Sequence, residues 1–273
     1  MVDIANGESG SSVRTKLNAL RDVLTADTTF TVRASGGDFT TIQAACDHVA
    51  GMIDGSEYQP IIDLEDGVTY TENVILRPTV GSKPPLIQGN SANRPTISST
   101  TGTCLSVNSE AYWQIEGVTL TTSGSGVDCI GIDEGGTLVF PNSSGMEFAG
   151  WVRNAIFCKG ILFGDIGELG TTIAISGGAS TTTGTFIRTL LNGIVNLSRC
   201  EFTLTNTPAF GNGTSGGFVW ATQGASIDFA GSSSTGSGTG VRAKVESNAV
   251  VRTLSFTLPG NGSNSISTGG QFS

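Results

Sequence analysis

Cys104-Leu-Ser-Val, Trp113-Gln-Ile, Gly117-Val-Thr-Leu, Cys129-Ile-Gly-Ile and Thr137-Leu-Val-Phe follow one another between residues 104 and 140. Each run alternates apolar with small or polar side chains, the period-2 signature of a strand with one buried face. Gly, Asn and Ser fall between them, where the chain must bend. The pattern extends outward in both directions. Pro95-Thr-Ile-Ser precedes it, and Ile156-Phe-Cys, Thr172-Ile-Ala-Ile, Gly193-Ile-Val-Asn-Leu, Glu201-Phe-Thr-Leu, Phe218-Val-Trp and Ser226-Ile-Asp-Phe follow. Comparable units begin near Ala111, Gly135, Leu169, Asn192 and Gly224, at gaps of about 24, 34, 23 and 32 residues, a range typical of stacked repeats. Unequal gaps imply coils of constant geometry with loops of variable length. Asn-Gly hairpin turns are sparse: Asn192-Gly193 and Asn212-Gly213 occur, and neither joins two clean alternating runs. The expected fold is therefore all-β, a single-stranded right-handed parallel β-helix of seven or eight coils, roughly 35–40 Å long at ~4.8 Å per coil. A β-sandwich is the competing arrangement.

Composition agrees. The 65 Ser and Thr together with 39 Gly make up 104 of 273 residues, and charged residues are only 14%. Hydrophobic content of 37%, with 13 Phe, is too high for a disordered Gly/Ser chain. The glycines show no G-X-Y period, which excludes collagen. A net charge of −9, from 14 Lys and Arg against 23 Asp and Glu, argues against nucleic acid as a partner. The opening Met-Val-Asp-Ile-Ala-Asn-Gly-Glu-Ser lacks a basic region followed by an apolar stretch, so no signal peptide is expected. No run approaches ~18 apolar residues, so no membrane insertion is expected.

Two helices are predicted. In residues 8–25, Val13, Leu17, Leu20 and Leu24 form a narrow apolar stripe behind a possible Ser11 or Ser12 cap. Such a stripe serves either oligomerisation and attachment or packing onto its own domain. In 39–51, Ile42, Ala45, Cys46 and Val49 share one face, and Gly51 ends the helix. That helix suits the capping of an open coil end, whose unpaired backbone needs cover. A weak helical pattern recurs near 187–198. The chain thus divides into an attachment segment (1–27), a coil body with its cap (28–257) and a Gly-rich C-terminal tail (258–273). Cys104, Cys129, Cys158 and Cys200, spaced 25, 29 and 42 residues apart, fit either a stack inside the coil or unrelated buried thiols.

Gly37-Asp-Phe-Thr-Thr-Ile-Gln-Ala-Ala-Cys-Asp and Glu65-Asp-Gly-Val-Thr-Tyr-Thr-Glu-Asn-Val, continued by Ile87-Gln-Gly-Asn and Thr96-Ile, resemble the start of pectin-lyase-like β-helix proteins. The closest likeness is to the openings of pectin methylesterases and of phage spike proteins sharing that fold. It covers about residues 36–98. Gly7-Glu-Ser-Gly-Ser-Ser-Val-Arg-Thr-Lys-Leu-Asn-Ala and the ending Leu258-Pro-Gly-Asn-Gly-Ser-Asn-Ser-Ile-Ser-Thr-Gly-Gly-Gln-Phe are similar to the ends of phage and gene-transfer-agent structural proteins. The resemblance implies a spike or fibre, in head or tail, made in the bacterial cytoplasm and displayed on a virion or phage-like particle. It also implies a homo-oligomer, trimeric by preference, joined to another particle protein through residues 1–27. The expected contact is host surface polysaccharide.

Catalytic signals are poor. The esterase family's Gln-Asp-Thr and Asp-Phe-Ile-Phe-Gly segments are absent; Leu162-Phe-Gly-Asp-Ile-Gly has its Asp on the wrong side. Asp128, Asp133 and Glu134 cluster without Arg or Lys in the same run, which weakens a lyase. A glycoside hydrolase needs only two carboxylates about 5–10 Å apart, and Glu134 with Glu168 or Glu147 with Asp165 would suit stacked coils. A depolymerase and a non-binding structural adaptor are therefore the alternatives. His48, the only histidine, stands in the cap helix with no Ser–His–acid order around it. No metal or other cofactor is expected. For glycan binding, Trp113, Trp151 and Trp220 are the platform candidates, Trp151 foremost, with Asn154 and Asp165 as polar partners. The opposing expectation is that all three tryptophans are core.

Overall fold

Burial at alternate positions decides which residues become strands. Pro60–Leu64 buries Pro60, Ile62 and Leu64, while Glu201–Leu204 buries Phe202 and Leu204. The structure is a computed structural model that describes residues 26–52, 57–141, 145–164, 171–179, 184–211 and 216–273. Among them are 25 strands and one helix. The strands form three all-parallel sheets of ten, eight and seven strands. From Pro60–Leu64 to Val250–Arg252, each strand's next neighbour in its sheet is the third one along the chain; only the first pairing and the last two are closer in sequence. Leu86–Gln88, for example, pairs with Pro60–Leu64 on one side and Tyr112–Glu116 on the other. Thr96–Ser99 and Leu105–Val107, which come next in the chain, belong to the other two sheets. The chain visits the three sheets in rotation, an order consistent with a parallel β-helix. The all-parallel pairing excludes the sandwich, whose hairpins would be antiparallel.

Register stacks like on like inside. In the eight-stranded sheet Val74, Leu105, Ile130, Ile156, Ile187, Val219 and Ala243 align, and all are fully buried. In the ten-stranded sheet Trp113, Leu138, Leu162, Val195, Ile227 and Val251 form the matching ladder. Nine steps across ten strands give a stack of about 43 Å. Two sequence expectations change here. Residues near 187–198 are strands, Thr185–Thr189 and Ile194–Asn196, because Phe186, Ile187 and Val195 fill the interior. Residues 258–273 continue the sheets, with Ser265–Ile266 and Gln271–Phe272 as the last strands of two of them.

The interior changes character along the stack. Early coils are mainly aliphatic, with Tyr70, Trp113 and Phe140 among the buried rings, and later ones carry a continuous ring cluster. Phe218 lies 5.1 Å from both Phe186 and Phe210 between ring centroids, 5.8 Å from Phe202 and 6.0 Å from Phe229. Such contacts add to the large apolar area that each buried ring removes from water. Bends between strands demand glycine in places. Gly117, at φ +67°, approaches Gly89 so closely that a Cβ would collide with its carbonyl.

The helix Ile42–Ala50 closes the N-terminal end. It buries Ile42, Ala45, Cys46 and Val49, the expected face. Thr41 accepts from the Ala44 N–H, and the Glu72 carboxylate accepts from the N–H groups of Ile42 at 3.0 Å and Gln43 at 3.1 Å. Val74–Leu76 is the edge strand of the eight-stranded sheet. Gln43 covers it, accepting from the Ile75 N–H at 2.6 Å and donating to the Ile75 carbonyl at 3.3 Å. Tyr70 donates to the Val32 carbonyl at 2.9 Å and accepts from the Glu65 N–H at 3.0 Å. The side chains of Tyr70, Glu72 and Gln43, which carry the family resemblance, all do capping work.

Candidate functional site

Inward stacking has an outward consequence. A strand that aligns Ile156, Ile187, Val219 and Ala243 inside must align the next residue of each outside. Those residues are Phe157, Arg188, Trp220 and Lys244, in consecutive registered pairs on the eight-stranded sheet. The Arg188 guanidinium lies 4.1 Å from the Trp220 ring centroid and 5.8 Å from that of Phe157. Lys244, from the strand on the other side, places its ammonium 4.3 Å from the same Trp220 ring. Arg153 and Lys159 stand 5.5 and 5.6 Å from the Phe157 centroid. The result is a solvent-facing ladder of alternating rings and cations, with cation–π attraction between neighbours.

Carboxylates answer only part of this charge. Asp128 is buried, and its oxygens accept from Arg153 Nε at 2.9 Å, from a second Arg153 nitrogen and from the Asn154 amide at 2.7 Å. Those bonds raise the Arg153 guanidinium further above its ordinary value. Glu246 accepts from Trp220 Nε1 at 2.8 Å and pairs with Lys244 at 3.0 Å. Among the described residues, Arg188 and Lys159 pair with no carboxylate within salt-bridge distance. Arg188 Nε is buried without a hydrogen-bond partner. Burial in the stack, and then the like charge of Arg153, push the Arg188 guanidinium below its ordinary value, against Asp128 and Glu246, which pull it up. It stays protonated at any working pH. Among the described residues this face thus carries two cations without a direct ion pair, on a chain of net charge −9.

The predicted site residues separate accordingly. Trp113 and Trp151 are 0% and 1% exposed and belong to the core; Trp113 donates to the Arg77 carbonyl at 2.8 Å, and Trp151 packs on Phe186 and Phe210. Neither forms a platform, because the coils stacked on each side cover both rings. Asn154 is buried as the partner of Asp128. Trp220 alone reaches the surface, and cations occupy its ring faces. Val13, Leu17, Leu20, Leu24, Asp165 and Glu168 lie outside the described residues. Phe157, Arg153, Lys159, Arg188, Lys244 and Glu246 escaped the sequence reading. Their signal was present in the matching triplets Ile156-Phe-Cys, Ile187-Arg-Thr, Val219-Trp-Ala and Ala243-Lys-Val, one per coil.

Other chemistry finds little support among the described residues. The cation missing from the run around Asp128 comes from the next coil, as Arg153, and forms a closed ion pair there. Asp133 and Glu134 are exposed turn residues. Glu147 accepts from Thr119 at 3.2 Å and from Ser176, with Arg94 at 3.8 Å. His48 packs against Phe30 and Phe39, at 5.1 and 5.3 Å between ring centroids. No group of three His, Cys, Asp or Glu residues is arranged to hold a metal. All five cysteines are free and buried. Only Cys104 and Cys129 stand side by side; burial pushes the Cys158 thiol up to about 12, where it is no nucleophile at neutral pH.

No protein-family model matches the chain, and no curated protein or solved structure matches it.

Proposed function

We propose that this chain is a right-handed, single-stranded parallel β-helix serving as a spike or fibre subunit of a phage or phage-like particle, in head or tail. It contacts polysaccharide on the host surface during adsorption. The observation that carries this reading is the registered ladder of Phe157, Arg188, Trp220 and Lys244, an extended polar and aromatic strip along a capped rod. Extended strips suit extended polymers, which present one repeat after another along a surface. The resemblance of residues 36–98 and of both chain ends to spike proteins supports the particle assignment. Residues 1–27 supply the attachment to another particle protein. Self-association, as a trimer by preference, draws support from a second outward ladder, on the ten-stranded sheet. There Tyr112, Thr137, Ile161, Ile194, Ser226 and Val250 align, apolar or aromatic at four of six positions, with Tyr112 and Ile194 42% and 43% exposed.

The test is binding of fluorescently labelled, purified protein to host cells before and after enzymatic removal of surface polysaccharide. Binding that disappears with the polysaccharide is expected. Binding that survives removal would overturn the contact. Release of new reducing ends from isolated polysaccharide would convert the reading to a depolymerase. Loss of particle incorporation on deleting residues 1–25, without loss of folding, is the expected result for the attachment segment.

A further inference from the structure

The unpaired charge of the outward ladder speaks to which polysaccharide. This step rests on the polysaccharide-contact reading and deepens it. Four cations, Arg153, Lys159, Arg188 and Lys244, stand on this face against two acids, Asp128 and Glu246. Asp128 is used by Arg153 and Glu246 by Lys244, which leaves Arg188 and Lys159, 5.8 and 5.6 Å from the Phe157 ring centroid. Registered pairing with Phe157 and Trp220 holds Arg188 in place, so its ordering cost is met before any ligand arrives. A guanidinium fixed in this way presents its terminal N–H groups as a planar fork, the geometry that a carboxylate accepts in two parallel bonds. The faces of Trp220 are taken by Arg188 and Lys244, so neutral sugars lose the ring face on which they stack. From this geometry we infer that the ladder selects an acidic polysaccharide, whose sugar carboxylate lies between Arg188 and Lys159 with the sugar ring over the edges of Phe157 and Trp220. Bound there, the carboxylate supplies the direct ion pair that Arg188 lacks among the described residues, and it offsets the like charge of Arg153.

The experiment uses the full chain and a panel of immobilised polysaccharides: neutral, sulfated, and carboxylate-bearing, each of the last paired with its chemically carboxyl-reduced form. The expected result is binding concentrated in the carboxylate class, weakened about tenfold or more both by carboxyl reduction and by Arg188→Gln. Binding is also expected to weaken steeply between 50 and 300 mM NaCl in the assay. Lys159→Gln, a surface change beside the same ring, gives an independent second loss should Arg188→Gln disturb the stack. Equal binding to the reduced forms, a preference for sulfated polymers, or indifference to both substitutions would overturn the acidic-sugar assignment while polysaccharide contact stands. Failure to bind any class on the panel would overturn both.

Discussion

The eight-stranded sheet has two ladders one residue apart, and they behave differently. Inside, Ile130, Ile156, Ile187, Val219 and Ala243 keep one chemistry for five coils, because each must fill the space its neighbours leave. Outside, Gly131, Phe157, Arg188, Trp220 and Lys244 change chemistry at every step. The backbone cannot stack one set without stacking the other. A register held by the core therefore aligns the surface residues at no further conformational cost, and the surface set is free to be chosen for what it touches.

Substitutions on the two sides should break this contrast or sharpen it. The largest effect is expected inside: Phe218→Ala removes the centre of the ring cluster and should cost about 3–5 kcal/mol in chemical denaturation. A loss below about 1 kcal/mol would mean that the later coils do not share one core. Next comes Asp128→Ala, at the boundary between inside and outside. It strands the buried Asn154 amide and frees Arg153, for an expected loss of about 1–3 kcal/mol. Arg188→Gln, one residue from the interior, should cost about 1 kcal/mol or less in stability. Trp220 should become the tryptophan most open to acrylamide quenching in that variant, with Trp113 and Trp151 still shielded; equal quenching of all three would contradict the core placement.

The smallest effect lies at the cap. The Thr31 N–H and hydroxyl, both 2.8 Å from Asp38, hold its carboxyl below the ordinary value of about 3.9. Its contribution is then present above that value and fades as pH falls through the lower folded-state pKa. Asp38→Asn should lower the urea midpoint slightly at pH 7, and the difference from the parent should shrink as the pH falls below the ordinary carboxylate range. A difference that persists in acid would assign the effect to something other than the carboxylate.

Much of this architecture was legible beforehand. The Ile42 to Gly51 cap and the strands at 105–107, 112–116 and 137–140 follow from local patterns, since period 2 and period 3.6 leave different marks. The site was not legible in the same way. Trp151 reads as exposed beside Gly150 and Arg153, yet Phe186 and Phe210, from the two following coils, enclose it. Trp113 alternates correctly for a buried position, but its fate depends on Leu138 stacking upon it. Trp220 keeps its exposure because its own strand turns it outward, and loses its free faces because Arg188 and Lys244 arrive from strands 32 and 24 residues away.

What the amino-acid order determined by itself was local: alternating strands, Gly and Asn bends, a capping helix and a composition too apolar for disorder. Only the tertiary structure decided which residues meet, since contacts across coils depend on register and on loops of unequal length, from about 23 to 34 residues per unit. A one-residue slip would exchange Ile187 for Arg188 at the core. The core forbids that slip, and in doing so it builds the cation–aromatic face.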